Sequence, residues 1–482
     1  MNQIYRQHPL SIVHAFSKYI FLLIFPLLRS FVLVRQNFVY WLSGVWFDLL
    51  TLFTIVLFSF FQWYFTTFKI QKKGFCSRKG IFFRRRQYIP YANLSSIGIE
   101  KPFYLRPFHI VWLKLETDAG SKKSPDVQLF LHRGIAEEIV SLATAHLTDT
   151  TTVIKSYKPR AGYIAILSFI TSNTLTGVLF AATFITQTGK ILGQSAEDQL
   201  VYYMTKIAAT IVQSIAYKIP FAAAVLACMI LGGWLIGFLI HLVNHLNFYT
   251  ARKGEYLYVK AGILVQREYH MAIDEINCLT LRQSFMTKML GFYSAMISCT
   301  GYGKDKNELA ALLPAVDRQS LRQSLHLILP EIQPSPRQYK PPIRTITRFL
   351  IPPCTTFLCT LAGFLLLYHF LPKFYEIILY LGIMVHIPII WWLFVKITAF
   401  FHVGIGIREE VYTFRSTFAY AIYTTVVHKN KIAQVEIRQS LFQKMVNCSD
   451  VIIHTYNERK NRLVVQNVSQ DGVEEFLKSL TE

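Results

Sequence analysis

The feature that most restricts this chain is a stretch spelled out twice. Ile276 to Met289 and Ile432 to Met445, 156 positions apart, align without a gap. They share Arg282/Arg438, Gln283/Gln439, Ser284/Ser440, Lys288/Lys444 and Met289/Met445, while Ile276/Ile432, Leu279/Val435 and Leu281/Ile437 keep the apolar pattern. A more divergent copy lies 182 positions upstream of the first. There Gly80-Ile81 matches Gly262-Ile263, and Leu94, Ile97 and Ile99 fall on Ile276, Leu279 and Leu281. Lys101-Pro102-Phe103 stands where Gln283-Ser284-Phe285 does. Such spacings exceed the roughly 20–50 residues of stacked repeat units, so each copy is expected to be a domain of its own. The 482 residues leave room for that.

Hydrophobic residues make up 52% of the chain and charged residues only 16%, well below the roughly 25% charge of soluble domains. The deficit points to a bilayer. A net charge of +22 would also fit nucleic acid, but the Lys and Arg crowd the ends of apolar runs, where cytoplasmic flanks of membrane helices carry them. No nucleic-acid partner is therefore expected. Seven cysteines, scattered and without a C-x-x-C pair, read as reduced thiols. No small-residue cleavage site follows the first apolar run, so no removable signal peptide is expected.

Ser17 to Phe68 is almost unbroken apolar sequence, too long for one span of about 20 residues and suited to two. Arg29 and Asp48 fall at equal depth on its two arms if the turn lies near Gln36 to Tyr40. Either the two charges pair within the bilayer, or both reach the outer interface beside Trp41 and Trp46. Lys69, Lys72, Lys73, Arg78, Lys79, Arg84, Arg85 and Arg86 then mark a cytoplasmic end. Short alternating runs such as Ile110-Val111-Trp112-Leu113-Lys114-Leu115 predict strands, and the spacing of Ile135, Ile139, Leu142 and Ala143 predicts a closing helix.

The plan recurs. A linker with Lys158-Pro159-Arg160 leads to apolar arms at Ala161 to Thr186 and Ile219 to Phe248. Between them an insertion striped by Leu200, Met204, Ala208, Ile211 and Ile215 suits either a helix flat on the outer leaflet or one packed on the bundle. Strand-like sequence and a helix from about Val316 to Leu329 follow. Lys340-Pro341-Pro342 opens the last round: arms at Phe349 to Leu371 and Phe374 to Phe401, strands from Glu410 to Val465, and a helix at Gly472 to Leu480. Six spans would put every strand-rich segment on one side, which the flanking Lys and Arg identify as the cytoplasm.

A run of short strands closed by one amphipathic helix, with the I-x-x-L-x-L-R-Q-S strand and Gly291 after it, resembles the bacterial pleckstrin-homology-like (PH-like) domain. The hairpin-plus-domain plan and the N-terminal Arg6-Gln7-His8-Pro9-Leu10-Ser11 resemble the YdbT-type family of membrane-flanked proteins, over nearly the whole chain. The first copy departs at Lys101-Pro102, and Asn447 replaces Gly291 in the last. The resemblance implies an α+β membrane protein. Its plan would be three repeats of a transmembrane helical hairpin followed by a PH-like β-sandwich, two nearly orthogonal sheets with a C-terminal helix. On that plan 1–68 is the N-terminal segment and first hairpin, 69–150 the first domain, 151–250 the second hairpin with its insertion, and 251–333 the second domain. The third hairpin is 334–402 and the third domain 403–482. The resemblance further implies a bacterial cell membrane, a smaller relative with one hairpin and one domain as partner, a connection with envelope stress and antimicrobial-peptide tolerance, and no catalysis or cofactor.

Two readings of the shared motif stand at this level. Gln283-Ser284 and Gln439-Ser440 can take up backbone groups where a strand ends. Alternatively, Arg282, Lys288, Arg438 and Lys444, with Lys72, Lys73 and Arg84 to Arg86, can meet anionic lipid headgroups. Signals for an enzyme are poor: His241 and His245 lack a third ligand at metal-site spacing, and no G-x-S-x-G occurs. A membrane scaffold is the leading reading. The alternative is a transporter or lipid-handling protein with a polar path past Asn173, Arg29 and Asp48.

Overall fold

The computed structural model describes residues 4–14, 38–81, 83–117, 125–145, 155–171, 198–199, 201–203, 205–207, 209–210, 221–299, 302, 311–418, 420–456 and 462–481. Two compact units divide the chain, Met1–Thr150 with Ser172–Asn244 and Gly262–Glu268, and Thr151–Thr171 with His245–Ala261 and Tyr269–Glu482.

In the first unit, strands Thr67–Gln71, Gly74–Lys79 and Arg85–Pro90 pair in order as antiparallel neighbours. A single 3-10 turn, Tyr91–Asn93, swings the chain into a second sheet of Leu94–Pro102, Ile110–Thr117 and Val127–His132. Period-two alternation sends Leu113, Leu115, Val127 and Leu129 to full burial between the layers. Helix Arg133–Thr144 closes the layers with Ala136, Ile139, Val140 and Ala143, the i, i+3, i+4, i+7 stripe of a helix lying on a core. Glu100 and Lys114, set diagonally on neighbouring strands of the second sheet, form a buried ion pair of 2.6 Å.

In the second unit, strands Tyr249–Lys253 and Tyr256–Ala261 pair, and Ile276–Ser284, Phe292–Cys299 and Ala311–Asp317 form a ladder closed by helix Arg318–Ile328. A further set follows in the same order: Gly404–Arg408, Val411–Phe418 and Ala421–His428, a 3-10 turn, then Ile432–Arg438, Cys448–Thr455 and Arg462–Ser469, then helix Gln470–Thr481. Tyr412, Phe414 and Phe476 pack edge to face in its core. The long spacing predicts that each set is a separate domain, but these two are not sealed from one another. Ile276–Ser284 also pairs antiparallel with Ala421–His428, making one six-stranded sheet from two sets. Backbone groups that an isolated domain would leave on its sheet edge are thereby satisfied.

The linkers differ from expectation too. Ile4–Arg6 pairs with Thr67–Gln71, Lys155–Tyr157 with Tyr249–Lys253, and Tyr339 bridges to Ile405. Each set thus begins before the apolar segment it encloses, not at 69, 251 or 403. Trp63 Nε1 donates to the Gln7 carbonyl (2.8 Å) and Arg6 lies over the Tyr64 ring, fastening the end of helix Phe38–Phe65 to the first strands.

Two helical stretches, Ile343–Phe370 and Pro372–His402, are long and apolar enough to cross a membrane, and their apolar side chains face outward. Helices Phe38–Phe65 and Phe221–His245 contain shorter apolar stretches, Leu50–Phe65 and Met229–His245. Of the remaining arms expected of the first two hairpins only helix Ala161–Thr171 is described; the rest of them, most of the insertion between 187 and 218, Arg29 and the side chain of Asp48 lie outside the described residues. So does the expected Arg29–Asp48 pair.

Candidate functional site

Strand Ile276–Ser284 turns into helix Phe285–Met289 because Ser284 closes a capping box. Its hydroxyl accepts from the Thr287 amide at 3.2 Å, and Thr287 Oγ1 accepts from the Ser284 amide at 2.8 Å. Gln283 is buried and its Nε2 donates to the Phe292 carbonyl (2.9 Å), locking the turn to the next strand. The last set repeats both devices: Gln439 Nε2 donates to the Cys448 carbonyl (3.2 Å), and Ser440 closes a box with Gln443. Gly291 and Asn447 follow these turns with φ of 74° and 48°, and His109 takes the same place in the first set at 55°. Asn tolerates the left-handed region better than most residues, so the departure at Asn447 keeps the backbone. The Gln-Ser pairs are committed to the turn itself.

Phe285, next in the chain, stands edge-on to Trp391 at 4.8 Å and stacks on Phe394 at 6.2 Å. Counting from Pro372, Trp391 lies about 28 Å along its helix at about 1.5 Å per residue, close to the ~30 Å of a hydrocarbon core. A hydrocarbon core that began at Pro372 would end near Trp391, where aromatic side chains typically sit at a membrane surface. Around it Met286, Met289 and Leu290 are exposed, as are Leu441, Phe442 and Met445 at the corresponding turn.

Cations gather behind this turn. Arg337 donates to the carbonyls of Phe400 (3.2 Å) and Phe401 (2.5 Å), at the partly negative C-terminal end of helix Tyr375–His402. Arg415 donates to the Ser335 carbonyl. Among the described residues, Arg337 Nε and Arg415 Nη1 are buried without a hydrogen-bond partner. Burial lowers the pKa of Arg337 and of Lys288, and burial together with the Arg337 charge lowers that of Arg415. All three charges act on the ring of His402, whose Nε2 lies 3.2 Å from Thr424 Oγ1. Among the described residues none of the three cations is ion-paired. Partly desolvated cations with unpaired donors are chemically suited to an anion such as a phosphate.

Other expected contacts are scattered. Arg282 sits mid-sheet between Ser294 and Tyr423, Arg438 pairs with Glu436 at 2.6 Å, and Lys444 ends its short helix. Lys72 and Lys73 occupy the turn after Thr67–Gln71, at the end of the hairpin away from helix Phe38–Phe65. Arg84 to Arg86 lie at its other end, where Arg85 faces Lys79 and Arg86 faces Arg78. The fold thus splits a cluster that looks continuous in sequence. Arg337 and Arg415 were not anticipated: one sits in a linker, the other mid-strand, and no local pattern joins them.

In the first unit a cavity of about 780 Å³ opens beside the end of helix Phe38–Phe65. Thr54, Ser59 and Gln62 of that helix and Thr66 just beyond its end line it with Lys79 and Trp112. Burial, and then the Arg85 charge, lowers the pKa of Lys79. No group of three or more His, Cys, Asp or Glu that could hold a metal occurs among the described residues.

The family model for the bacterial PH domain matches residues 17–146 and 204–328. The UPF0699 transmembrane protein YdbT of Bacillus subtilis (strain 168) is 20% identical over 378 residues, 73% of this chain and 74% of that protein. No solved structure matches.

Proposed function

Because this chain belongs to the bacterial PH domain family, we propose that it is a non-enzymatic scaffold of the bacterial cell membrane. Three copies of a hairpin-plus-domain unit hold PH-like domains against the cytoplasmic leaflet. The observation that carries this reading is the seat of Phe285 on Trp391, which brings a domain turn to the expected membrane surface with Lys288, Arg337 and Arg415 gathered behind it. Anionic headgroups supply the charge these cations lack, at about 1 kcal/mol for each basic residue near such a surface. In the cell the scaffold works with a smaller single-hairpin relative to maintain the envelope against membrane-active peptides. The similarity to a named transmembrane protein supports the membrane setting.

The test is genetic. A strain deleted for the gene is profiled against membrane-active peptides and complemented with full-length variants. Scaffold action requires that a chain ending before residue 403 fails to complement while Arg29→Ala and Asp48→Ala succeed. Failure of those two at normal expression, with the shortened chain still active, would instead favour a transport path.

A further inference from the structure

One pairing rule governs the junctions inside this chain. The strand that opens the second sheet of one set lies beside the strand that ends the first sheet of the next. Ile276–Ser284 takes Ala421–His428 antiparallel, from Leu279 opposite Val426 to Ser284 opposite Ala421. In the first unit, the strand Leu94–Pro102 neighbours the segment Val265–Glu268, with the Phe103 amide donating to the Leu264 carbonyl (2.8 Å) and Lys101 paired with Glu268 at 2.7 Å.

The corresponding strand of the last set, Ile432–Arg438, breaks the rule. Among the described strands it has a neighbour on one side only, Cys448–Thr455. Leu281 is 6% exposed, whereas its counterpart Ile437 is 39% exposed. Phe285 is covered by Trp391 and Phe394 of the following hairpin, whereas its counterpart Leu441 is 83% exposed and the adjoining Phe442 73%. An open row of backbone donors and acceptors beside uncovered apolar side chains is a template for strand addition.

We propose that Ile432–Arg438 is the docking edge for one more PH-like domain, carried by a separate polypeptide. The partner adds the strand that ends the first sheet of its domain antiparallel to this edge and lays its own membrane hairpin over Leu441 and Phe442. The junction rule is thereby carried across a chain boundary. This deepens the scaffold reading, and rests on it for the membrane setting, by naming the surface that takes the partner.

The occupant is not a second copy of this chain. Such a copy would offer Arg85–Pro90, the edge strand of its first sheet. In the register of the existing junction Arg438 would then face Arg85, where Arg282 now faces Tyr423. Like charges directly opposed destabilise a strand pair. The partner strand carries a neutral or acidic residue at that place.

Site-specific photo-crosslinking of the full-length chain in the membranes of its own cells tests this. p-Benzoylphenylalanine replaces Gln434 in one version and Phe442 in another, both exposed, and exposed Lys478 on the closing helix serves as control. The expected result is an adduct from both test positions, absent from the control. Mass spectrometry should place the link at Gln434 in a bacterial PH domain of another polypeptide, in the strand before its own 3-10 turn. Adducts to a second copy, to lipid alone or to an unrelated protein, or none from either position, overturn the proposal. In a second arm Arg438→Glu, opposed to Arg85, should create a self-associating chain by sedimentation; an unchanged profile overturns the charge argument and the choice of occupant. Contact is read here and sensitivity in the complementation assay, so either can fail alone.

Discussion

The hydroxyls of Thr280 and Thr425 lie 3.3 Å apart across two strands from different sets. Thr425 is almost fully buried, so the second and third sets share an interior seam. Thr425→Asp places an unpaired carboxylate in that seam, at a cost of several kcal/mol. Limited proteolysis should then cut both sets together, while Thr425→Val stays resistant.

Glu100 and Lys114 form a buried pair, with Arg267 3.7 Å from the same carboxylate. Removing one partner leaves an uncompensated charge, which typically costs about 3–5 kcal/mol. Glu100→Gln should lower the melting temperature markedly, and the double variant Glu100→Met with Lys114→Met should recover much of the loss. Thermal unfolding of the purified full-length protein followed by tryptophan fluorescence distinguishes the two.

Asp317 caps helix Arg318–Ile328 by accepting from the Ser320 amide at 3.2 Å. Hydrogen bonding to Ser320 holds its pKa below the ordinary value of 3.8. The folded pKa is depressed, so the contribution is complete above the unfolded value and is lost as pH falls through the folded one. Asp317→Ala should cost about 1 kcal/mol at neutral pH, and the gap between variant and parent should close below about pH 4. Hydrogen exchange of the helix amides reports both.

Asn447 holds a left-handed backbone at φ 48° where Gly291 holds 74°. Asn447→Gly should leave stability within a few tenths of a kcal/mol, whereas Asn447→Val should cost about 1–2 kcal/mol. Chemical denaturation of the two variants in detergent provides the comparison.

Much of the domain architecture was legible because it rests on local signals. Alternation revealed Ile110–Thr117, helical spacing revealed Arg133–Thr144, and the Gln-Ser motif marked a turn whose side chains do bind backbone groups. What escaped is non-local. The three residues Ile4–Arg6 are too few to carry a period. The pairing of Ile276–Ser284 with Ala421–His428 joins residues that share no sequence neighbourhood. Arg337 and Arg415 come together only because a linker packs beside a sheet, and the candidate lipid site was therefore only half visible.

The linker residues that begin each set also bear on synthesis. Tyr5 stacks on Phe68, Tyr157 lies opposite Thr250, and Tyr339 bridges to Ile405. Each tyrosine leaves the ribosome well before its seat exists and must wait while the intervening apolar segment is made. Because closing such long loops precedes any reward from the contact, translation order makes every completed seat a checkpoint. A segment that failed to come back to the side it left would strand its tyrosine and leave that domain unfinished.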